Sequence, residues 1–150
     1  MSDSILRIIP QNPEYLPSGD AQKSALMILR DSFREADEFS AHNHEEVVFV
    51  DAGENFDAIF CPSCKKAIDH DWWLDAMDDA ASSHFTNLAV SPPCCDGSTT
   101  LNDLLYDMPQ GFARFTFEVR NPNVASVPDA LLEQLRVLLG CELRIIWARY

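Results

Sequence analysis

The chain opens on an apolar run, residues 5–9, closed by Pro10, a pattern that predicts a short strand. Pro10, Pro13 and Pro17 make residues 10–19 an extended loop. Ser18 then stands as an N-cap before Ala21, Ala25, Ile28 and Leu29, whose i, i+4, i+7, i+8 spacing gathers them on one helical face. Residues 34–46 are polar, with Glu35, Asp37, Glu38, His42 and His44, and read as a loop. Residues 46–60 read as a hairpin, with strands at 47–50 and 56–60 about a turn, Asp51-Ala52-Gly53-Glu54-Asn55. A second helix is expected from Asp71 to about His84, capped by Asp69 or Asp71, with Trp72, Trp73, Ala76, Met77 and Ala80 on its apolar side.

A short strand at 88–90 leads into a cysteine-bearing turn, and residues 99–105 form another strand or an irregular segment. Residues 113–120 alternate: Phe115, Phe117 and Val119 point one way, and Arg114, Thr116, Glu118 and Arg120 the other, which predicts a half-buried strand. Ser126 followed by Asp129 resembles a capping box for a helix carrying Leu131, Leu135, Leu138 and Leu139, stopped by Gly140. Residues 142–149 form the last strand. Strands and helices mix without strict alternation, which predicts an α+β fold. The expected architecture is a single domain, residues 1–150, with a mixed sheet, ferredoxin-like βαβ elements and a metal-binding elaboration at about 56–105.

Charge narrows the function classes. The chain of 150 residues has 24 acidic and 11 basic residues, a net charge of −13, and no basic footprint for a nucleic acid or an anionic membrane. It lacks a signal-peptide pattern and any apolar run long enough to span a membrane, so a cytoplasmic protein is expected. There, paired cysteines more often bind metal than form structural disulfides.

Four of the five cysteines fall in two proline-bearing turns, Cys61-Pro62-Ser63-Cys64 and Pro93-Cys94-Cys95. A C-x-x-C turn directs two thiolates at one ion, and a tetrahedral zinc site needs two ligands more. Cys94 and Cys95 can supply both, provided the turn at Asp96-Gly97 is sharp. If one of them does not ligate, His70 or His84 can take its place. Cys141 reads as a small buried residue. The rival chemistry is thiol–disulfide exchange at Cys61 and Cys64, which needs Lys65-Lys66-Ala67-Ile68 to be a helix that lowers a thiol pKa.

These turns, with Asp71-Trp72-Trp73, Ala76-Met77, the residues 100–104, Gly111-Phe112-Ala113-Arg114-Phe115, Asn121-Pro122 and Leu139-Gly140-Cys141, resemble a family of small uncharacterised bacterial zinc-knuckle proteins with a CPxC…PCC pattern. The resemblance covers most of the chain and implies a zinc-knuckle protein with no catalytic role. Lys65 stands where zinc ribbons commonly have glycine.

Asp71, Asp75, Asp78 and Asp79 share one face of the second helix. They make a docking surface for a basic protein or simply a solvated face. Of the adjacent Trp72 and Trp73, only one can face the core, and Trp73 joins the candidate partner-binding residues. Arg114 with Asp103 can line a small-molecule site, but Asn102, Asp103 and Asp107 are as well suited to local turn hydrogen bonds. With four cysteines on the ion no position stays open for water, so the sequence predicts a non-enzymatic, immunity- or adaptor-like protein with structural Zn2+.

Overall fold

The computed structural model describes residues 3–53 and 56–150, so the Glu54-Asn55 part of the predicted turn lies outside the described residues. Mixed helix and sheet make this an α+β fold. The elements of the main body are β1 (Ser4–Pro10), α1 (Gly19–Ser32), β2 (Glu38–Val50), β7 (Gly111–Arg120), α3 (Asp129–Leu139) and β8 (Leu143–Arg149). Between β2 and β7 lies an insertion, residues 51–110, holding β3 (Ile59–Phe60), α2 (His70–Ser82), β4 (Ala89–Val90), β5 (Thr99–Thr100) and β6 (Leu105–Tyr106).

The four long strands form one sheet, in the order β2-β7-β1-β8, with every neighbouring pair antiparallel. β1 and β2 therefore run the same way with β7 between them, and β7 and β8 run the same way with β1 between them. α1 and α3 connect these same-direction strands. Leu6, Ile8, Phe115, Phe117 and Val119 of the sheet pack with Ala25, Leu29, Leu131 and Leu135 of the helices. Ser18 caps α1 by accepting the Ala21 N–H, and Gly140 ends α3 in the left-handed conformation, φ 75°.

The structure corrects three expectations and refines one. Glu38–Glu46 is strand rather than loop: it is the outer end of β2, an edge strand whose Phe39 and Ala41 pack toward the helices while Glu38 is exposed. The 46–60 hairpin does not form, because β2 pairs with β7 and β3 pairs with β6. β7 keeps most of the expected alternation: Phe115, Phe117 and Val119 are buried, Arg114 and Glu118 half-buried and Arg120 exposed, with Thr116 covered as well. Ser126 does not cap α3, whose N-cap is Pro128, with no side-chain hydrogen bond.

Phe112, near the start of β7, does not join the helix-packed cluster. It packs with Val47 and with Ile59, Cys61, Ile68, Trp73, Leu101 and Leu104 of the insertion. Trp73 is 7% exposed, so it belongs to this core and not to a partner surface; its indole N–H donates to the Tyr106 hydroxyl at 3.2 Å. Phe49, Phe56 and Tyr106 surround it edge-on.

A buried polar cluster ties the insertion's return to the sheet. Arg144 of β8 donates to the carbonyls of Asn102 and Gln110 at 2.8 and 2.9 Å and to Asn102 Oδ1 at 3.0 Å. Asn102 in turn donates to the Gln11 carbonyl and accepts the Phe112 N–H. Gly111 leaves the necessary room, because a Cβ there would lie 2.6 Å from Arg144 Nη1. We expect Arg144→Met to strand these carbonyls and lower stability by about 2–4 kcal/mol, read from urea unfolding; a cost under about 0.5 kcal/mol would contradict the role assigned to it.

Candidate metal centre

The centre is built from two turns of the insertion. In the first, the Ile68 N–H donates to Ile59, the Cys61 N–H to Lys66 and the Lys65 N–H to Cys61, all at 2.9 Å. These bonds reverse the chain tightly around Cys61-Pro62-Ser63-Cys64. Closing the turn requires Lys65 to adopt φ +65°, a left-handed conformation that favours glycine. Its ammonium donates to the Pro62 carbonyl at 2.8 Å, a partial compensation.

The second turn follows β4 and carries Cys94 and Cys95. Gly97 allows the two turns to meet, since a Cβ there would lie 2.9 Å from Ser63 Oγ and 3.5 Å from Cys95 Sγ. All four sulfur atoms fall within 4.8 Å of one another. Cys61 and Cys95 Sγ are 3.8 Å apart, and Cys64 and Cys94 Sγ 3.3 Å. A tetrahedron with Zn–S bonds of about 2.3 Å has edges of about 3.8 Å, so the sulfur cage has the size a tetrahedral ion requires. The five cysteines are free thiols. Cys61 is 1% exposed, and the other three of the cage are half-buried.

The cage is electrostatically uneven. The Cys64 N–H, opposed by burial and helped by the Ser63 N–H, brings the Cys61 thiol down to about 6. The hydrogen bond with Cys64, then burial, pushes Cys94 up to about 12. At Cys95 the Gly97 N–H favours the thiolate, but the hydrogen bond with Cys61 and burial together raise the pKa. One thiolate thus stands ready, and filling the cage with a cation releases protons from its neighbours. The donor set is wholly soft sulfur, which disfavours hard cations.

Neither histidine joins the cage. His84 Nδ1 faces Glu46 at 3.1 Å, and His70 stacks on Phe56. Cys141, expected in the core, is half-buried beside the helix-packed core, where burial raises its pKa. Cys64 leads into Lys65 and a β-bridge at Ala67 rather than into a helix, and α2 starts only at His70. The pair therefore lacks the helix N-terminus that activates exchange-type thiols.

Arg114 and Asp103 do not make one site. Asp103 borders a cavity of about 400 Å³ with Asn102 and Gln11, and Arg114 does not line it. Asp103 Oδ2 accepts the Thr100 hydroxyl, and Asp107 Oδ1 accepts the N–H groups of Asp57 and Met108. Sequence reasoning did not identify which N–H groups, those of Ser63, Cys64 and Gly97, reach the sulfurs. The visible signals were Gly97, two residues after Cys95, and Lys65 in a place where glycine is common.

A scan against protein-family models found no match, and searches of curated proteins and solved structures found none. Among the described residues no helix is long and apolar enough to cross a membrane.

Two outcomes are expected. Lys65→Gly relieves the left-handed strain and raises stability by up to about 1 kcal/mol in thermal unfolding; a loss would contradict this account of the turn. The second concerns the metal-free chain. Cys61, depressed from the ordinary thiol value of 9.0 to about 6, contributes stability that is complete above 9 and lost as pH falls through 6. Cys94, raised to about 12, keeps its proton when the unfolded chain has lost it, so stability falls as pH rises above 9. The urea midpoint of wild type relative to Cys61→Ser should therefore rise between pH 6 and 9, and a flat difference would contradict the Cys61 assignment.

Proposed function

We propose that this protein is a small zinc-binding interaction protein, immunity- or adaptor-like, in which Cys61, Cys64, Cys94 and Cys95 hold one structural Zn2+ and the Asp71, Asp75, Asp78 and Asp79 face of α2 meets a basic partner protein. The observation that carries the metal half is the convergence of four sulfur atoms within 4.8 Å from two separate turns. Four cysteine ligands saturate a tetrahedral ion, so the metal's work is to clamp rather than to activate water. The four aspartates are exposed, and α2 has no basic residue in its last turn to offset them. With a net charge of −13, long-range steering favours a cationic partner and disfavours nucleic acid and anionic membrane. A reducing, cytoplasmic setting keeps such a thiol set free for metal.

The same reading extends to the fold. The β-α-β-β-α-β connectivity and the order β2-β7-β1-β8 support a ferredoxin-like sheet, with the first turn as a zinc knuckle placed in the loop between its second and third strands. The CPxC…PCC pattern supports kinship with small bacterial zinc-knuckle proteins.

The purified protein is expected to hold one zinc per chain by elemental analysis. Cys64→Ser should lose the metal and cost about 3 kcal/mol or more of stability. A metal-free chain unchanged in stability by added zinc would overturn the structural role. For the partner half, cross-linking in cells should trap a basic protein in a manner sensitive to salt, and Asp71, Asp75, Asp78 and Asp79 all changed to Asn should abolish the adduct. An adduct untouched by that change would overturn the acidic-face reading.

A further inference from the structure

A groove of about 540 Å³ runs between α2 and the β4–β5 ribbon. Trp72, Asp75 and Asp79 line it from the helix, and Ala89, Val90 and Ser91 from the other side. Leu101, just after β5, also borders it, so the groove lies against the ribbon that β4 and β5 make. Asn87 Oδ1 already takes the Ala89 N–H at 3.2 Å, which leaves side-chain recognition as the main contact on offer. The groove's charged lining consists of two carboxylates and no cation, and neither aspartate makes an ion pair among the described residues. Asp71 and Asp78 share the helix but lie outside the groove.

The position of the charge is informative. Asp75 and Asp79 are four residues apart, a like-charge spacing that disfavours the helix. Asp79 also falls in the last turn, where the helix dipole disfavours an anion, and no basic residue there relieves it. Two local costs are therefore concentrated on the wall of one groove, beside a half-buried indole. A guanidinium resolves both, since it pairs with carboxylates and stacks on an aromatic face.

The geometry points to this groove as the seat of an arginine-bearing extended segment of the partner protein, with the guanidinium between Trp72 and the Asp75–Asp79 pair. This rests on the reading of α2 as the partner-facing surface and narrows it to one side of the helix. The second cysteine turn follows directly after Ser91, a residue of the groove's lining.

The test is a titration of a capped Arg-Ser-Arg tripeptide, with Gln-Ser-Gln as control, into the zinc-loaded 15N-labelled protein. Saturable shifts are expected at the Trp72 indole and at the amides of Asp75, Asp79 and Ala89, with none from the control. Asp75→Asn with Asp79→Asn should weaken binding about tenfold and at the same time raise the melting temperature, which separates lost recognition from lost folding. Ala89→Trp, which fills the groove without altering charge, should weaken binding equally while zinc content stays at one per chain. Binding confined to Asp71 and Asp78, or unaffected by Ala89→Trp, would overturn the groove while leaving the acidic-face reading standing. Absence of saturable binding overturns the groove too; the cross-linking of the four-aspartate variant then decides the broader reading separately.

Discussion

Bringing four thiols within 4.8 Å of one another from residues some thirty positions apart is a constraint that the surrounding chain cannot meet on regular structure alone. Among the described residues, the insertion holding them has one helix and two ribbons whose strands are two residues long. Two-stranded ribbons of that size are marginal in water by themselves. A cation in the sulfur cage would couple its binding free energy to the closure of both turns, as in other small metal-bearing folds. The left-handed Lys65 and the close approach permitted by Gly97 follow from that closure. Both are local costs that make sense only if the two turns are meant to meet.

The clamp does not stand apart from the sheet. Cys61 is packed in the same apolar cluster as Trp73, Leu101 and Phe112, so the buried end of the cage rests against the start of β7. Arg144 closes the other end of the insertion, holding the Asn102 and Gln110 carbonyls at the point where the chain re-enters the sheet as β7. Between these anchors α2 is held with its aspartates outward and Trp73 inward. The acidic surface and the groove beside it therefore depend on how the insertion is packed against the sheet.

Legibility in the sequence followed the range of each signal. The helices were readable because their periodicity and the Ser18 cap are local. β2 was not, because an edge strand with one wet face is polar in sequence. Its Phe39 and Ala41 alternation was the only trace. Val47 was assigned to a hairpin because its partner strand lies more than sixty residues on, beyond the reach of any turn rule. The cysteine set was legible because C-x-x-C is a geometric instruction in itself. The choice between Trp72 and Trp73 was not, since adjacent residues on a wide apolar stripe are distinguished only by what packs on them. Arg144 carried no local sign at all; its role arises from three segments that meet only in the folded chain.

X-ray absorption at the metal edge of the zinc-loaded protein tests the central claim most directly. The account predicts four sulfur neighbours at about 2.3 Å and no nitrogen or oxygen in the inner coordination sphere. Fewer than four sulfurs, or a histidine or water ligand in place of one, would contradict it.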